Sequence, residues 1–149
     1  MNNSEILTMI VETLSISMET FNESLRLGDI TDQEVIDTAL DNCDKSVVEG
    51  FLNGFIILKR GAKESKPGEK TKAPLQLRKG RSVNNVILKK LKIAYALTNE
   101  DLMDIFASVD VIMSKNDLTT YFRKEGHKHY RECLDKDLIA FLKGIALRG

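Results

Sequence analysis

No stretch of this sequence reaches the ~20 consecutive apolar residues that a helix needs to cross a bilayer. The opening, Met1-Asn2-Asn3-Ser4-Glu5, lacks the basic-then-apolar order of a signal peptide. A cytoplasmic protein without a membrane partner is therefore expected. There the two cysteines, Cys43 and Cys133, should stay reduced and serve as small buried residues. The two prolines both lie mid-chain, and alternating β-branched runs are missing, which argues for an all-α fold. Glycine-rich phosphate loops, a Gly-x-Ser-x-Gly elbow and paired zinc cysteines are missing too, so no enzyme or cofactor is expected.

What is there reads as one unit written twice. Phe51-Leu52-Asn53-Gly54 is echoed by Phe141-Leu142-Lys143-Gly144, and Cys43 by Cys133. Upstream, Ile6-Leu7 and the run to Ser17 match Ile87-Leu88 and the run to Thr98. Each unit reads as four helices, A to D. Helix A carries one buried stripe, Ile6, Leu7, Ile10 and Leu14 in the first unit and Ile87, Leu88, Leu91 and Tyr95 in the second. Ser17 and Thr98 should cap the second helices, and Thr98 with Asp101 and Thr31 with Glu34 have capping-box spacing. Gly28 is placed to end a helix in the left-handed conformation. Gly54 and Gly144 sit inside helix D, where glycine costs roughly 1 kcal/mol against alanine. The same cost at the same point twice predicts a close helix crossing, flanked by Phe51 and Phe141.

Charge divides the chain further. Residues 1–60 hold eleven acids and four bases, residues 61–92 ten bases and two acids, and residues 93–149 eight bases and nine acids. The expected domains are an acidic repeat over 1–60, a basic Pro/Gly-containing flexible linker over 61–83, and a second repeat over 84–149. Units this small bury little surface alone, so they should pack on each other.

Two sets of residues could carry function. Arg78, Lys79 and Arg81 in the linker, with Lys89, Lys90 and Lys92 on the second helix A, could neutralise phosphates without reading sequence. On that helix Lys89 and Lys92 point outward and Lys90 flanks; their counterparts are Thr8, Val11 and Met9, so folding does not need lysine there. The strip lacks interleaved aromatics, which counts against base stacking. The linker could instead lie on the acidic repeat. The second set lies between helices C and D of the second unit, an interval about seven residues shorter in the first unit. There His127 and His129, with Glu125, Glu132 and Cys133, are weak metal candidates, because a convergent ligand set cannot be assembled from them.

Three segments resemble a known family. They are Asn84 to Leu97, Phe51-Leu52-Asn53-Gly54 with Lys59-Arg60-Gly61, and His127 to Cys133 with Phe141-Leu142-Lys143-Gly144. They resemble the bacterial YehS-like family, domain of unknown function 1456, in two tandem copies. The resemblance implies a small bacterial cytoplasmic protein with no assigned catalytic residues. Family members carry a longer stretch between helices C and D in the first repeat as well, whereas here Leu40-Asp41-Asn42-Cys43 is abbreviated. The expected function is a non-enzymatic binding or regulatory module with a protein partner; the alternative is a nucleic-acid-associated protein.

Overall fold

The computed structural model describes residues 1–61 and 83–148. These form eight helices and no strand: α1 (Asn3–Thr13), α2 (Met18–Leu27), α3 (Gln33–Asp37), α4 (Lys45–Arg60), α5 (Val83–Ala94), α6 (Asn99–Ala107), α7 (Lys115–Phe122) and α8 (Asp135–Arg148). None of them is long and apolar enough to cross a membrane. The span expected as a linker falls almost wholly outside the described residues.

Side chains that cap backbone start most of the helices. Asn2 accepts from the Glu5 amide at 2.8 Å while Glu5 reaches back to the Asn2 amide at 3.1 Å. Ser17 caps α2, and Thr98 with Asp101 and Ser114 with Asp117 form capping boxes on α6 and α7. Each cap supplies an acceptor for an amide that the helix itself leaves unsatisfied. Thr31 does not cap α3. Asp32 does, accepting from the Glu34 amide at 2.9 Å, because a carboxylate one residue closer reaches that amide directly.

The two halves turn at matching places. Ser15 and Ala96, 81 positions apart, both have left-handed φ, as do Asp29 and Asp110 at the same separation. Gly28 is not left-handed: its φ is −88°, and Asp29 takes the positive φ instead. Glycine is needed at 28 for space, since a Cβ there would fall on the backbone carbonyl of Gly50. Gly54 and Gly144 stand at close crossings. A Cβ on Gly54 would land on the carbonyl of Ser24, and one on Gly144 on the carbonyl of Ile105. Thus α2 lies across α4, and α6 across α8.

One continuous core joins the halves. Its centre is made of the first and last helices of each half: α5 packs on α4, α1 on α8, and both first helices touch both last ones. Phe51 lies between Phe21 and Phe55, with ring centroids 5.2 and 5.4 Å away, and Phe106 meets Phe141 at 5.8 Å. The joint between α4 and α5 also contains charge. Lys90, only 3% exposed, donates to Asn53 Oδ1 at 2.6 Å and lies 3.6 Å from Glu49 Oε2, which is 1% exposed. Burial depresses the Lys90 pKa, while Glu49 opposes the shift by favouring the ammonium. Lys90 therefore does not flank a basic surface as its sequence position suggested. Across the matching joint between α1 and α8, the corresponding residues are Met9, Ile139 and Lys143.

Candidate polyanion-binding face

A buried amide organises the one long loop among the described residues. Asn85, in the first turn of α5, is 6% exposed. Its Nδ2 donates to the carbonyl of Tyr121 at 3.0 Å and to that of Arg131 at 2.9 Å, and its Oδ1 accepts from the Cys133 amide at 2.7 Å. One side chain therefore holds both ends of the segment between α7 and α8. Asn84 adds hydrogen bonds to the Cys133 carbonyl at 3.0 Å and to Asp135 Oδ1 at 2.7 Å. The Arg131 amide donates to the Thr120 carbonyl at 3.0 Å. Inside the loop, the His127 amide donates to Lys124 and the Tyr130 amide to His127, both at 2.9 Å. A loop closed and internally bonded in this way is ordered before it meets a ligand.

The loop presents cations. Arg123, Lys124, Lys128 and Arg131 are exposed, with the acids Glu125 and Glu132 among them. It lies beside α5, where Asn85, Lys89 and Lys92 fall at i, i+4 and i+7 on one helix face. Asn85 grips the loop, and Lys92 Nζ sits 4.8 Å above the Phe122 ring at the end of α7. Lys89 is exposed between them. Lys92 is only half-exposed and also donates to Asn99 Oδ1 at 3.2 Å, so Lys89 is the freer of the two.

The sequence-expected residues are thus redistributed. Lys89 and Lys92 share a face, Lys90 is buried against α4, and Arg78, Lys79 and Arg81 lie outside the described residues. Arg123, Lys124 and Lys128 are exposed on the loop that Asn85 ties to the first turn of α5, in a segment that the sequence marks only for its histidines. His127 and His129 are exposed, their rings 5.6 Å apart, with the His129 amide donating to His127 Nδ1 at 3.0 Å. Cys133 is buried behind Asn85. Among the described residues, no three His, Cys, Asp or Glu side chains gather as metal ligands would. Burial is the main cause pushing the thiols up, Cys43 to about 11 and Cys133 to about 12, so neither supplies a thiolate near neutrality.

Residues 84–149, the half that contains this face, match the model of a family described as a protein of unknown function, DUF1456. The match supports a YehS-like family for that half, and a relative agrees with it. The chain is 37% identical over 106 residues to "Uncharacterized protein YehS" of Escherichia coli strain K12. That match takes in 71% of this chain and 64% of the relative, so the chain spans less than two thirds of the relative's length. No solved structure matches.

Proposed function

We propose that this chain is a non-enzymatic binding module whose contact surface is the basic face of α5 and the 123–131 loop, and that it holds the phosphate backbone of a nucleic acid. The observation that carries this reading is the Asn85 clamp. A single buried side chain fixes a loop of exposed cations beside an exposed lysine. In the first half the counterparts of Asn85 and Lys89 are Ser4 and Thr8, and the connection between α3 and α4 is shorter. Clamp, lysine and loop thus occur together in one half, which folding alone does not require. Fixing the loop's backbone in advance lowers the ordering cost of binding, so that the cationic side chains are what is left to order.

The test is fluorescence anisotropy of labelled DNA and RNA across a salt series, with a Lys89→Ala, Arg123→Ala, Lys124→Ala, Lys128→Ala variant beside the parent. Affinity should fall linearly in log salt, and the variant should show the shallower slope. Absence of binding at low salt would refute the reading and direct attention to protein partners on the acidic first half.

A further inference from the structure

Resting on that reading, we infer that the ligand is a duplex, held through its phosphates and without preference for sequence. The basis is the fate of every aromatic ring in the chain. The sequence has six phenylalanines, three tyrosines and no tryptophan, and none of these nine side chains is exposed. Tyr130, the ring within the loop itself, is half-buried with its hydroxyl inside, and the two rings at the end of α7 are covered by cations of the face. Lys92 Nζ lies 4.8 Å over Phe122, and the Arg131 guanidinium lies 4.5 Å over Tyr121. The Tyr121 hydroxyl is occupied as well, donating to Asp137 Oδ2 at 3.0 Å. At the far end of α5, Lys59 Nζ covers Tyr95 at 5.2 Å.

Single strands are held by stacking unpaired bases on open aromatic faces, a contribution of ~1–3 kcal/mol per base. This face offers no exposed Phe or Tyr ring. The two imidazoles of the loop, His127 and His129, pack against each other at 5.6 Å. Cations alone therefore do the binding, and cations respond to charge density. A duplex presents a phosphate every ~1.7 Å along its axis, about twice the density of one strand. Its bases are already stacked and need no platform. Contact with phosphate oxygens is the same whatever the base pair, so sequence should not matter.

The experiment uses the full chain and four labelled probes: two 20-base-pair DNA duplexes of unrelated sequence, one RNA duplex, and a 20-nucleotide oligo-dT, titrated from low to physiological salt. The two DNA duplexes should bind within about twofold of each other, and oligo-dT at least about fivefold more weakly, as expected when charge density sets affinity. A Lys89→Ala, Lys124→Ala, Lys128→Ala variant that melts like the parent should lose about 2–3 from the log–log salt slope on duplex. A His127→Ala, His129→Ala variant should keep the parent's oligo-dT affinity. Oligo-dT binding as tightly as duplex, or lost in the histidine variant, would overturn the duplex inference and leave the phosphate-binding reading standing. No binding by any probe at low salt would overturn both.

Discussion

Replacing Gly54 or Gly144 by alanine sets two effects of opposite sign against each other. In a helix interior, alanine is better than glycine by about 1 kcal/mol, so a glycine in open space should gain stability on substitution. Here a new methyl group would meet backbone. At Gly54 it would lie 2.5 Å from the Ser24 carbonyl carbon and 2.8 Å from the Gly28 nitrogen, neither of which can swing away. At Gly144 it would lie 3.0 Å from the Ile105 carbonyl carbon and 2.5 Å from Ile105 Cγ2, a side-chain atom with some freedom. Overpacking costs about 1–3 kcal/mol, and the more rigid the neighbours the nearer the upper end. Less the propensity gain, the net loss is about 2 kcal/mol or more for Gly54→Ala and about 1 kcal/mol for Gly144→Ala. For a chain of this size each kilocalorie lowers Tm by roughly 2–4 °C. Thermal melts should therefore rank the parent above Gly144→Ala, and Gly144→Ala above Gly54→Ala. A rise in Tm for either variant would refute the crossing argument, since only the helix-propensity term would then be acting.

The remaining predictions concern polar groups. Asn85→Ala takes this partner from the buried Tyr121 carbonyl, the part-buried Arg131 carbonyl and the Cys133 amide, and should cost roughly 3 kcal/mol; hydrogen exchange should show the Cys133 amide losing protection. Lys90→Met should cost about 3–5 kcal/mol by removing the buried ammonium beside Glu49, whereas Lys90→Met with Glu49→Leu should recover most of the loss; denaturant melts of both and of Glu49→Leu form the double-mutant cycle. The thiols titrate higher folded than unfolded, so their contribution to stability is complete below about pH 8.5 and declines as pH rises toward 11 and 12. Alkylation at pH 8 should accordingly be slow in the native protein, with half-buried Cys43 reacting before Cys133, and both should react at once in denaturant.

Apolar spacing and cap residues read from the sequence locate most of the helices, because those signals are local. The stripe Leu88-Leu91-Tyr95, the hydroxyl caps Ser17 and Thr98, and the paired glycines all act within a turn or across one crossing. Helical spacing alone sets Lys90 at the flank of the outward lysines, because its partners, Glu49 and Asn53, are 41 and 37 residues away in sequence and nothing local marks them. Asn85 did leave a trace. It falls three residues before Leu88, on the buried side, and a polar residue there needs partners. Gly28 shows the converse: its place at a helix end was legible, but the nearby Gly50 backbone that requires it was not. The loop cations carry no such mark, because sequence cannot show that Asn85 ties both ends of their segment to α5.

The pairing of α4 with α5 and of α1 with α8 makes each half the lining of the other's interior. Covalent continuity between Gly61 and Val83 is then not what keeps the halves together. A chain cut once between those residues should survive gel filtration as a two-piece complex. Each piece purified alone should be largely unfolded, and mixing the two should restore the helical signal. The fold would thus serve as a two-part reporter that assembles only when both fragments are present.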